Sequence, residues 1–285
     1  MRYFTLFISM LLATLPTFAA AFSAQHEERD YAFGVLSQRS AVLTAQYWNP
    51  ILEHVTRQSG VRLVLRTSRT APETNQAIAR GEYDFVYSNT FFQPRLSGSG
   101  YRVILKPRSE AITGQIVTPI DSPIQALADL HGQAVGFPSR GAFVGYALPM
   151  DHLLRSGVQV HPLFGGNQEG IMAQLQAGKV QAAGVNGEVM RLFAERESFR
   201  YRVLWQSKPY DNLPIAAHPR VAPAIVQAVQ SAFAAIHLSE TGQAILQSSA
   251  QILKQAPPFG FVVASQEDYR NYSDFYRTTL VPDIE

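Results

Sequence analysis

YAFGVLSQRSAVLTAQYWNPILEHVTRQSGVRLVLRTSRTAPETNQAIARGEYDFVY, residues 31–87, alternates two kinds of hydrophobic pattern. Tyr31–Leu36, Val61–Leu65 and Asp84–Tyr87 are short apolar runs rich in aromatic and β-branched residues, and read as strands. The longer stretches between them carry helix punctuation. Asn49-Pro50 sets an N-cap residue before a proline at the first helical position, and Ile51, Leu52 and Val55 follow as a stripe at helical spacing. On this reading Ala41–Tyr47 is a separate helical piece and the helix restarts at Asn49. Gly60 supplies its stop. Thr70-Ala-Pro-Glu73 is a capping-box pattern that opens a second helix, ending near Gly81. Strand, helix, strand, helix, strand predicts a parallel sheet with helices packed on it.

Downstream the pattern repeats. Gly114–Thr118 reads as extended and Leu127–Gly132 as a short helix and turn; Ala134–Phe137 reads as a strand. A helix is predicted from about Gly141 to Ser156, kinked at Pro149, with a strand at Val158–Val160. Glu169–Ala177 is a helix stopped by Gly178, Val180–Val185 a strand, and Tyr201–Trp205 leads back out. Val221–Leu238 is alanine-rich and helical, Phe259–Val263 a late strand, and Glu267–Tyr276 a terminal helix. Two α/β units, with the chain leaving the first and returning to it, predict a two-lobed protein. Lobe one is placed at 28–113 plus 212–285 and lobe two at 114–211, with a two-crossing hinge near Gly114 and Asp211.

The N-terminus carries an export pattern: Arg2, an apolar run from Tyr3 to Leu15, Pro16, then Ala19-Ala20-Ala21 at the cleavage positions. Residues 1–21 are read as a signal peptide, since the run falls short of the roughly 20 residues that span a bilayer. Its removal takes only Arg2 among the charges, so the formal net charge falls from +2 to +1. Such a balance argues against nucleic-acid binding. There is no cysteine, so an exported chain of this length relies on its core rather than on disulfides, and thiolate metal sites and cysteine nucleophiles are excluded.

Several linked segments resemble one family, the phosphate, phosphite and phosphonate-type periplasmic binding proteins of ABC transporters. They are Trp48-Asn-Pro50 with Gly60-Val61, Gly81-Glu-Tyr-Asp84 with Tyr87-Ser-Asn89, Asp129-Leu-His-Gly132 with Val135-Gly-Phe137, Phe164-Gly-Gly166, Gly178-Lys-Val180, Gly260-Phe261 and Asp268-Tyr269. The resemblance covers nearly the whole mature chain and implies a type II periplasmic binding protein fold, each lobe a central mixed sheet flanked by helices. It also implies a periplasmic, monomeric, non-enzymatic protein without cofactor, holding a small oxyanion or phosphonate between its lobes. The partner it implies is an inner-membrane ABC permease, or a membrane sensor protein where such domains serve signalling.

Ligands of open α/β sheets sit beyond the carboxyl ends of strands, where helix N-termini offer free N–H groups to an anion. The turn Ser139-Arg140-Gly141-Ala142 follows a strand and opens a helix. In the family this turn is a hydroxyl- and glycine-rich anion loop; Ser139 and Gly141 keep that character, while Arg140 and Ala142 depart from it. Arg140 offers a planar grip on an oxyanion, or else is a solvated surface arginine. Tyr87 and Asn89 end the third strand and suit a small polar ligand, though a core tyrosine and a helix cap fit them equally. Gln38 and Arg39 lie at the first strand–helix turn, and Arg69 and Thr70 at the second. Where the family often has histidine and aspartate, this chain has Asn167-Gln168 and Gln181; Asn186 and Glu188 follow the next strand. Gln168 and Asn186 join the candidate set, and an anion of open chemistry is expected. Tyr47, Trp48, Phe91, Phe92 and Phe143 line the cleft or belong to the core.

An enzyme needs a constellation, and the sequence holds no Gly-x-Ser-x-Gly elbow, no His-Glu-x-x-His and no Walker loop. The seven histidines are scattered, so no metal site is expected. Transport and ligand sensing remain as the two roles. Both use lobe closure to shift a conformational population.

Overall fold

The computed structural model describes residues 29–282 and 284; the signal peptide expected at 1–21 lies outside them. The first run is β1 (Tyr31–Val35), α1 (Ala41–Ser59), β2 (Leu63–Arg66), α2 (Ala71–Ala79), β3 (Phe85–Tyr87) and β4 (Arg102–Pro107). The second is β5 (Gly114–Pro119), β6 (Ala134–Phe137), α3 (Leu148–Arg155), β7 (His161–Phe164), α4 (Gln168–Gln176), β8 (Ala182–Asn186), α5 (Gly187–Glu197) and β9 (Tyr201–Gln206). β10 (Ile215–Ala217), α6 (Pro223–Ala235), α7 (Glu240–Ile252), β11 (Phe261–Val263) and α8 (Arg270–Thr278) follow.

Two mixed sheets result, in the orders β11-β4-β10-β3-β1-β2 and β7-β6-β8-β5-β9. Each contains three neighbouring parallel strands, β2-β1-β3 in one and β7-β6-β8 in the other. In each, the next strand is antiparallel and is supplied by chain that has just arrived from the other sheet: β10 beside β3, and β5 beside β8. The two crossings, 108–113 and 207–214, are tied to each other by the antiparallel Ile112–Tyr210 bridge, with N···O distances of 2.7 and 2.9 Å.

Three local expectations are corrected. α1 does not restart at Asn49 but runs unbroken from an N-cap at Ser40, whose hydroxyl accepts from the Leu43 N–H, to a left-handed Gly60. An interior proline costs about 3 kcal/mol. Burial of Trp48, Ile51, Leu52, His54 and Val55 on one face outweighs that and holds the helix through Pro50. The helix expected from Gly141 begins instead as a wide π-type turn, Phe143–Ala147, and Pro149 falls in the first turn of α3, directly after it. The strand expected at 158–160 lies at His161–Phe164. It is the sheet edge, where Pro162 is tolerated and side chains stay exposed, so its sequence carries no burial signal.

The last helix belongs to neither sheet alone. The Tyr269 and Tyr272 hydroxyls donate to the Asn212 and Asp211 carbonyls, both at 2.6 Å. Just beyond, buried Asp151 of α3 accepts from the Leu280 N–H at 2.7 Å and the Thr279 hydroxyl at 2.9 Å, and is paired with Arg155. The chain end is thereby pinned to the unit that carries the five-stranded sheet.

Candidate ligand-binding site

The carboxyl ends of β1, β3, β6 and β8 converge, and two adjoining cavities lie where they meet. One, about 580 Å³ including its open side, is lined by Gln38, Arg39, Thr44, Tyr47, Trp48, Tyr87, Asn186, Glu188 and residues of the returning chain. The other, about 390 Å³, is lined by Gln38, Asn89, Ser139, Gly141, Ala142, Phe143, Gln168 and their neighbours. Leu36 and Gln38 are walls of both. Nine of the twelve residues singled out from the sequence are brought together in this way.

The other three stand apart. Arg140 stacks its guanidinium over the Phe164 ring at 4.9 Å. Thr70 caps α2, accepting from the Glu73 N–H, and Arg69 is exposed with its backbone N–H bonded to Glu73. None of them lines either cavity.

Arg39 is the cation of the site. Among the described residues no carboxylate lies within ion-pairing distance of it. Burial pulls its guanidinium below the usual range, offset in part by Tyr87, then Glu169, then Tyr47. Burial likewise raises both neighbouring phenols, Tyr47 to about 12 and Tyr87 further. Both tyrosines therefore stay neutral donors across physiological pH. The sign for stability follows. Above pH 10 the unfolded chain ionises phenols that the folded chain keeps protonated, so stability falls as pH rises through the folded-state values. We expect the urea midpoint to drop between pH 9 and 11; an unchanged midpoint would contradict the burial of these hydroxyls.

Ser139 is buried, 2 % exposed, and its hydroxyl has no partner among the described residues. It faces the start of the π-type turn, whose first N–H groups have no acceptor within the helix. On the opposite wall the side-chain oxygens are already engaged. Gln168 accepts from the Asn186 N–H at 3.0 Å, and Asn186 in turn caps α5 by accepting from Glu188 and Val189. Direct hydrogen bonds join the two sides of the cleft: Ala71 N–H to the Gly166 carbonyl, Ser40 N–H to the Glu169 carboxylate, and the Gln93 amide to the Gly141 carbonyl at 2.7 Å.

A family model described as ABC transporter, phosphonate, periplasmic substrate-binding protein matches residues 33–269. The chain belongs to this family. This phosphonate-type binding protein shares its fold with a binding-protein component of an ABC phosphonate transporter from Pseudomonas aeruginosa, at TM-score 0.74 and 14% identity over 87% of this chain and 86% of that one. PhnD1 from Prochlorococcus marinus, solved in complex with methylphosphonate, aligns at TM-score 0.74 and 14% identity, covering 88% and 98%. XAC2383 from Xanthomonas citri, solved bound to ATP, aligns at 0.68 and 17%, covering 87% and 96%. No curated protein matches the chain by sequence. As a member of this family, the phosphonate-type protein is a periplasmic substrate-binding protein of the ABC-transporter class.

Tyr47, Trp48 and Phe143 do line the cavities, whereas Phe91 and Phe92 pack against each other in the core, Phe92 stacking on Tyr269. Asn212, Leu253 and Gln255 also reach the site of this phosphonate-type protein. They come from the returning chain and lie at no strand-to-helix turn, so only contact across the fold reveals them.

Proposed function

We propose that this protein captures a small oxyanion, a phosphonate or a close relative, between its lobes and hands it to an inner-membrane permease. One observation carries the reading: Arg39 is partly desolvated in the cavity between the sheets, and no carboxylate among the described residues is paired to it. A guanidinium in that setting gains most from a bound anion. Ser139 and the open N–H groups beside it are the second point of attachment. The lobes are residues 28–113 with 212–285, and 114–211, with the segment from Thr279 onward reaching over to α3 of the second. Their hinge is the pair of crossings joined at Ile112 and Tyr210. Export by a cleaved leader at 1–21 places the protein in the periplasm.

The test is a thermal-shift screen with methylphosphonate, phosphate, sulfate and small carboxylates. A ligand at a hundred times its Kd stabilises the folded state by about 2.7 kcal/mol, several degrees in Tm. Stabilisation by at least one oxyanion and not by neutral isosteres is the expected result. A flat response to every anion would overturn the reading.

A further inference from the structure

We propose that the Arg39 cavity opens into a second subsite that takes an uncharged organic tail, so that the preferred ligand is an oxyanion bearing an aryl or extended alkyl group. This rests on the anion reading above and adds the other half of the ligand. Beside the Arg39 cavity lies a wider one, about 1050 Å³ including its open side. The two share Tyr47, Trp48, Tyr87, Glu188, Asn212 and Gln255 as walls.

The shared wall is aromatic and continuous. Trp48 lies 5.3 Å from Tyr47, 4.8 Å from Tyr87 and 6.0 Å from Phe261, ring centre to ring centre. Phe261 lines the outer cavity, so the rings lead from the arginine outwards. Pro257, Pro258 and Phe259 extend that apolar side to the mouth. The facing wall makes no demand for a cation. Glu188 is gripped through both oxygens by Arg191, at 2.7 and 3.0 Å, which neutralises it in place. Glu110 is exposed at the rim. A neutral flat group loses water against the rings and leaves that ion pair intact.

Phenylphosphonate and methylphosphonate share a head and differ in the tail, and calorimetry on the full mature chain compares them. Phenylphosphonate should bind at least about tenfold tighter, the scale expected for burying one ring. Ala256→Trp and Ala256→Phe each fill the outer cavity from an exposed position away from the crossings. In both, the phenyl advantage should vanish while methylphosphonate affinity stays within about twofold. Equal affinities in the native protein, or an advantage that survives both filled variants, would overturn the tail subsite and leave the anion reading standing. Failure of both probes to bind would overturn the tail subsite, and the anion reading falls with it only if the thermal-shift screen is also flat for every anion.

Discussion

Arg39→Ala should weaken oxyanion binding by about a hundredfold or more, while the folded protein keeps its stability. Removing one member of a desolvated, hydrogen-bonded charge pair costs roughly 2–5 kcal/mol, and 2.7 kcal/mol is already about a hundredfold. The stability half of the result separates a ligand-binding arginine from a structural one. Burial disfavours the Arg39 charge, and no carboxylate among the described residues pairs with it, so its removal deletes a cost of folding rather than a bond. Arg140→Ala is the control, since its guanidinium rests on Phe164 and lines neither cavity. Titration calorimetry and urea unfolding of both variants give the readout. Affinity unchanged in Arg39→Ala, or lost equally in Arg140→Ala, would refute the assignment.

Phe143→Ala should cost about 3–5 kcal/mol of stability, the range for truncating a buried phenylalanine. Phe143 is 3 % exposed and stacks on Tyr272 at 4.2 Å, with Tyr210, Phe275 and Tyr276 around it at 4.9, 5.2 and 5.6 Å. It is also the first residue of the π-type turn and a wall of the Ser139 cavity. The cavity left behind would therefore open toward the ligand as well as into the core. We expect Phe143→Leu to lose less than half as much stability, because most of the packed volume remains. A midpoint for Phe143→Ala within about 1 kcal/mol of the native protein would show that the aromatic cluster does not hold the chain end in place.

Legibility in the sequence followed burial. β1, β3, β5, β6 and β8 were visible as apolar runs because both faces of these strands are covered. Exposed β7 was displaced by a few residues for the opposite reason. β4 and β10 were not assigned, although β10 is fully buried; three residues joined only to distant strands give no local pattern. α5 and α7 went unassigned too, although Asn186 and Ser239 cap them with side-chain bonds. In the site, the rule of strand ends and helix starts finds Gln38, Tyr87, Asn89, Ser139 and Asn186, and the family resemblance adds Gln168. It could not rank arginines. Arg39 and Arg140 both sit at strand-to-helix turns, and only the position of Phe164 across the fold shows that the second is occupied elsewhere.

The clamp at Asp151 also decides how this protein is turned into an optical sensor. A dye near Thr279 rides with α3, although Tyr269, ten residues before it, is bonded to Asn212 of the other unit. The chain has no cysteine, so one introduced at an exposed site such as Ser248 on α7 takes a single thiol-reactive fluorophore without background labelling. Under the proposed lobe closure, a donor near Thr279 and an acceptor on α7 would sit on different bodies, and energy transfer between them would read out ligand occupancy.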